Sequence, residues 1–183
     1  AEERLLALDR QLDRHNEEST VSALNRDGTV NDAALAALVE TALKIGKAAD
    51  GAFDPTVAPL MDAWNFTGDA PRVPPDEELS ELLTHVGLEN VSVEGGIVTL
   101  KNSAQIDLGG IAKGHPGGVV RDILAEHGVT SAVIDLGGDV GLLGTKPDGS
   151  EWHVAVKDPA DPAQFLGVLS AADTFVVTSG VYE

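Results

Sequence analysis

The pentapeptide Ile-Asp-Leu-Gly-Gly occurs twice in the sequence, at 106–110 and at 134–138, with the two starts 28 positions apart. Each copy places a carboxylate ahead of two glycines, which tolerate φ > 0 and let another backbone or a ligand come close. Between the copies, the stretch Val119 to His127 carries Val119, Val120, Ile123 and Leu124 at helical spacing, and Gly128 sits where a C-terminal cap is expected. The order is turn, helix, strand, turn. Such a unit brings backbone N–H groups and a helix terminus to a place where a phosphate can bind, and Lys113 adds a cation directly after the first turn. Double glycines are also ordinary tight turns. Two identical pentapeptides, each holding an Asp that needs partners when buried, favour a site over that plainer reading.

Other chemistries find less support. The sequence has no GxxxxGK[ST], GxGxxG, HExxH or GxSxG motif, and His15, His85, His115, His127 and His153 do not fall at metal-ligand spacing from one another. With zero cysteines there is no disulfide, thiolate metal site or Cys nucleophile. What remains is carboxylates, glycines and hydroxyls, a set suited to Mg²⁺ and phosphate chemistry. Thirty acidic against 12 basic residues, a formal charge of −18, argue against nucleic acid or anionic lipid as the partner. A phosphorylated small molecule would need a local positive field, from Lys113, oriented amides or a divalent cation.

Periodicity and punctuation define the scaffold for these groups. At 183 residues and 43% apolar, the chain can bury a normal core, and 1–183 reads as a single domain. No run approaches the ~20 apolar residues of a membrane span, and the charged N-terminus lacks a secretory apolar core, so residues 1–183 read as soluble. Leu5, Leu8 and Leu12 predict an amphipathic helix over 2–14. Ser19 caps a short turn carrying Val21 and Leu24, with Asn25 just before the Asp27-Gly28 turn. A second helix starts at Asn31 or Asp32 and runs to about Ala49, with Leu35, Leu38, Ala42 and Ile45 inward and Gly51 closing it. Asp54-Pro55 fixes an extended turn, and Pro59 opens a short helix ending near Trp64. Three prolines mark 69–75 as a surface connection, after which Asp76 caps a helix ended by Gly87. Val91–Val93 and Ile97–Leu100 read as a hairpin through Gly95-Gly96. Two strands flank the turn Lys146-Pro147-Asp148-Gly149, and Phe165–Leu169 and Thr174–Val177 add two more. Helices gather early and strands late, so the expected fold is α+β, with helices packed on a largely antiparallel sheet.

Taken together, FDPTVAPLMDAWNF at 53–66, IDLGGIAKG at 106–114 and DLGGDVGLLGTKPDGSEWHVAVKDP at 135–159 resemble the ApbE family of FAD:protein FMN transferases, also called flavin transferases. STVSALNR at 19–26 is similar to the family's Ser-Glu-(hydrophobic)-Ser-x-Leu-Asn segment, with Thr20 in place of the usual Glu, and the closing Thr178-Ser179-Gly180 matches as well. The resemblance spans nearly the whole chain in the family's order. It implies an ApbE-like, T-fold-like domain that binds FAD in a cleft between subdomains. It also implies Mg²⁺-dependent transfer of the FMN half onto a Ser or Thr hydroxyl of an acceptor flavoprotein, with release of AMP. This is a displacement at phosphorus in which the protein mainly positions the groups.

On matching positions the resemblance implies that Asn25, Asp54, Thr56, Lys113, Asp139, Thr178 and Ser179 contact or frame FAD. Gly109, Gly110, Gly137 and Gly138 would allow close backbone approach, and the carbonyl of Ala112 would be a metal ligand, as suits a hard cation. Lys113 pairing with Asp107 is the competing reading of that cation. The family continues beyond the closing motif with His-Ile-x-Asp-Pro and Asp-Ala-Leu-Ser-Thr segments, so catalytic residues are expected beyond Glu183. Residues 1–183 alone are therefore not expected to complete the reaction. His115-Pro116-Gly117-Gly118 departs from the family's aromatic-Ala-Val-Asp helix start. With that departure, an FAD-binding or FAD-hydrolysing protein without transferase activity is the alternative reading. Location outside the cytoplasm, with membrane attachment only through a lipid anchor outside this chain, is implied by family analogy.

Overall fold

The structure is a computed structural model, which describes residues 2–66, 68–112, 114–161 and 163–178. Its internal contacts divide the chain into two compact units, Glu2–Ala112 and Lys113–Glu183.

The first unit holds helices α1 (Glu2–Leu12), α2 (Thr20–Asp27), α3 (Ala33–Ala48), α4 (Ala58–Trp64) and α5 (Asp76–Leu83) and the single turn α6 (Gly109–Ala112). Strands β1 (Thr29–Asn31), β2 (Val91–Glu94) and β3 (Ile97–Leu100) form an antiparallel sheet in the order β1-β3-β2. Residues 20–27, expected as a short turn, make a full helix. The Ser19 hydroxyl accepts from the Ser22 N–H, and Gly28 ends the helix at φ 73. β1 is an additional strand: too short for a periodic signal, it is held by pairing Val30 with Val98.

Asp32 caps α3 through the Ala34 and Leu35 N–H groups. Leu35, Leu38 and Ala42 face inward as expected, but Ile45 is 42% exposed and Val39 takes the inner position at 0%. Asp76 is the first helical residue of α5 and Pro75 the cap, because a proline already preset at φ −62 supplies the extended residue before the helix. Val21, Leu24, Val39, Val98 and Ile106, each 0% exposed, form the centre of the core and contribute about 1.5–3 kcal/mol apiece.

The second unit contains α7 (Gly114–Glu126) and strands β4 (Ala132–Leu136), β5 (Asp139–Leu143), β6 (Trp152–Lys157), β7 (Phe165–Ala171) and β8 (Phe175–Val176). β4-β5-β8 and β6-β7 are two antiparallel sheets. The strands flanking Lys146–Gly149 thus belong to different sheets, and the expected single sheet is three small ones among the described residues. α7 starts five residues ahead of the expected Val119. Pro116 and its neighbours occupy the first turn, where N–H groups have no intrahelical acceptor and a proline costs little.

Candidate functional site

In the first unit the candidate residues converge on the backbone of Ile106 and Asp107. Asn25, near the end of α2, donates from Nδ2 to the Ile106 carbonyl at 2.9 Å and accepts the Ile106 N–H at Oδ1 at 2.8 Å. The Asp107 N–H donates to the Pro55 carbonyl at 2.7 Å, and Val57 bridges Gln105 in parallel. Asp54 closes the turn below by accepting from the Thr56 N–H at 2.8 Å and the Thr56 hydroxyl at 2.6 Å. The Thr56 hydroxyl in turn accepts the Gly87 N–H at 2.8 Å and is fully buried. Three separated motifs, around residues 25, 54–56 and 106–107, are therefore tied together by hydrogen bonds. Asn25 and Thr56 use their polar atoms to build this frame.

Asp107 is the charged member. Its Oδ1 accepts from the Gly109 N–H at 2.7 Å and its Oδ2 from Arg14 Nε at 2.6 Å. Arg14 Nη1 reaches Asp62 at 2.7 Å, and the Arg14 carbonyl accepts from the Ser22 hydroxyl at 2.7 Å. Burial pulls the Arg14 pKa down, but hydrogen bonds and charge from Asp62 and Asp107 outweigh it and hold the guanidinium above its ordinary value. The guanidinium stays charged, and the Asp107 carboxylate is neutralised where it meets the glycine pair. Neither Arg14 nor Asp62 carries a sequence signal. Arg14 follows an amphipathic helix whose visible role is packing.

The two pentapeptides fold differently. Gly109 and Gly110 open the helical turn α6 and do not use the positive φ that glycine tolerates. Gly110 is required sterically: a Cβ there would stand 2.7 Å from Phe53 Cε2. The second copy forms the β4–β5 hairpin, with Gly137 at φ 67 and Gly138 at φ 97, Leu136 paired with Asp139, and the Gly138 N–H donating to Asp135 Oδ1 at 2.9 Å. The downstream residues decide between the two outcomes. Ile-Ala continues the first copy into a helical turn, whereas Asp-Val-Gly-Leu-Leu pairs the second back onto β4.

Gly137 and Gly138 are exposed at the hairpin tip, Asp139 is half-buried, and Thr178 is exposed just after β8. Lys113 and Ser179 lie outside the described residues. Ala112 ends α6. Among the described residues no three His, Asp or Glu side chains converge as a metal cluster, so side chains there do not form a metal cage. Trp64 stacks on Phe66 with ring centroids 5.3 Å apart, at the end of α4.

A family model described as the ApbE family matches residues 1–183. The chain belongs to the ApbE family. Like other ApbE members, it combines helices with antiparallel sheets: it superposes on an ApbE protein from Thermotoga maritima with a TM-score of 0.89 at 34% identity, covering 100% of this chain and 62% of that one. The apo form of a Pseudomonas stutzeri flavinyl transferase ApbE gives a TM-score of 0.83 at 29% identity, covering 100% and 61%. Among curated relatives, a protein of Treponema pallidum named FAD:protein FMN transferase is 34% identical over 94% of this chain and 53% of its own length. This ApbE chain spans about half the length of the curated relatives it matches. No helix among the described residues is long and apolar enough to cross a membrane.

Proposed function

We propose that this chain is the FAD-handling part of an FAD:protein FMN transferase, read as one domain. The observation that carries the reading is the family match over residues 1–183, which includes both Asp-bearing glycine motifs. In the first unit, Asn25, Asp54 and Thr56 frame the segment ending in Gly109 and Gly110. The Arg14–Asp107 pair keeps that segment from presenting an unbalanced carboxylate to an anionic diphosphate. In the second unit, Gly137, Gly138 and Asp139 form a tip where, among the described residues, a Cβ built on either glycine would meet nothing within 4 Å, which suits close approach of a ligand. Thr178, with Lys113 and Ser179, completes the set of FAD-contacting residues.

Mg²⁺ belongs to the same proposal, with the Ala112 carbonyl as one ligand. The donor fits: it is a neutral oxygen at the end of a helical turn, and the residue four positions on is Pro116, which has no N–H to compete for it. When bound, the ion would neutralise charge developing on the phosphates. In the reaction, a Ser or Thr hydroxyl oxygen of an acceptor flavoprotein bonds to the phosphorus of the FMN half. The bridging P–O bond breaks, AMP leaves with the electron pair, and the hydroxyl proton passes to a base. An extracytoplasmic location is part of this reading, carried over from the family, and cell fractionation checks it.

The test is incubation of the full-length protein, of which residues 1–183 are the FAD-handling part, with FAD, Mg²⁺ and an acceptor domain bearing a Ser/Thr target. Protein-linked flavin fluorescence on a denaturing gel supports transfer. AMP release without linked flavin marks the hydrolytic alternative, and neither product sinks the enzyme reading.

A further inference from the structure

We infer that Phe175 is a positioning residue for the flavin site: its ring, seated in a slot left by Gly117 and Gly141, fixes the register of β8 and with it the placement of Thr178. The inference rests on the flavin reading above and concerns only the second unit.

β8 is two residues long, Phe175 opposite Gly141 and Val176 opposite Val140, with one more bond from the Leu142 N–H to the Thr174 carbonyl at 2.8 Å. So short a ladder specifies its register weakly, and a slip of one residue would turn every side chain to the other face. The ring supplies what the ladder lacks. A Cβ built on Gly117 would stand 2.6 Å from Phe175 Cε1, and one built on Gly141 would stand at the same 2.6 Å. Both glycines are buried, so the ring fills space that any other residue at either position would claim. The Arg121 guanidinium lies 5.8 Å from the ring centroid and adds a cation–π contact.

One side chain therefore joins α7, through Gly117 and Arg121, to β5, through Gly141. Candidate residues stand close by in the chain: Asp139 opens β5 two residues before Gly141, and Thr178 comes three residues after Phe175. If β8 slid by one residue, the ring would leave its slot and the Thr178 side chain would reverse. This also gives Gly117 a purpose. In the first turn of a helix it weakens the element, and its return is room for the ring.

The test uses Phe175→Leu, Phe175→Ala, Gly141→Ala and the double variant Gly141→Ala/Phe175→Leu in the full chain. FAD affinity is read by flavin fluorescence well below each unfolding midpoint. Phe175→Ala and Gly141→Ala should weaken FAD binding by roughly tenfold, and the double variant should recover part of the loss because the smaller side chain fits beside the added methyl. Leu142→Val, on the opposite face of β5, should lower the unfolding midpoint without moving FAD affinity. If the parent binds FAD and the Phe175 variants bind within about twofold of it, the inference fails alone. If Phe175→Ala does not fold, Phe175→Leu decides on the same criterion. A parent that leaves FAD fluorescence unchanged overturns the flavin reading and this inference with it.

Discussion

Arg14 and Asp107, 93 residues apart in the sequence, share a 2.6 Å hydrogen bond in which Nε donates to Oδ2, while the other Asp107 oxygen holds the Gly109 N–H. The Arg14 side chain is only 13% exposed, so solvent screens this pair less than an ordinary surface pair. Arg14→Met should cost about 2 kcal/mol, because it leaves a half-buried carboxylate with one partner. Asp62→Asn should cost much less, since Asp62 is 53% exposed. Urea unfolding of the two variants checks the ranking.

Asn25 makes the second cross-chain tie. Asn25→Ala leaves the N–H and carbonyl of the fully buried Ile106 without their side-chain partner and should cost about 1–3 kcal/mol in the same assay. Asn25→Asp should be nearly as harmful, since a carboxylate keeps the acceptor for the Ile106 N–H but sets a negative oxygen against its carbonyl. Asp recovering most of the stability would contradict the two-bond account.

Gly110 and Phe53 form a steric pair. Gly110→Ala should destabilise by roughly 1–3 kcal/mol through overpacking against the ring edge. Phe53→Leu should relieve much of that cost in the double variant, a coupling that a double-mutant cycle measures. Simple additivity would contradict the steric pairing of Gly110 with Phe53.

The pH dependence is sharpest to predict at Arg72 and Glu78. The Arg72 hydrogen bonds and charge hold the Glu78 carboxyl below its ordinary range, and they join the proline-rich 69–75 segment to α5. A depressed carboxylate contributes stability that is present above its unfolded value and lost as pH falls through its folded one. Arg72→Ala should therefore lower Tm slightly at neutral pH, and the gap to the parent should close once pH drops below the ordinary glutamate range. Added salt should narrow it too, because the pair is exposed. A gap that widens in acid would contradict the assignment.

Much of this was legible in the residues. Helical spacing located α1 and α3, Pro59 marked the start of α4, and Gly95-Gly96 marked the β2–β3 hairpin, because those signals are local. The family resemblance located the segments that carry the candidate site. The sequence did not reveal the different fates of its two identical pentapeptides, since Asp-Leu-Gly-Gly is compatible with a helical turn and with a hairpin tip. Only the residues after each copy, and Phe53 against Gly110, decide between them. Nor could spacing reveal Arg14, Asp62 or the Phe175 slot. Each depends on groups brought together across tens of residues by packing, where no period exists to read.

Titration of the chain with FAD in the presence of Mg²⁺, monitored by flavin fluorescence and competed with AMP, tests the central claim most directly. The account predicts a saturable change that AMP reverses and that Asp139→Ala weakens while circular dichroism stays native. A folded chain that leaves FAD fluorescence unchanged at every concentration would contradict it.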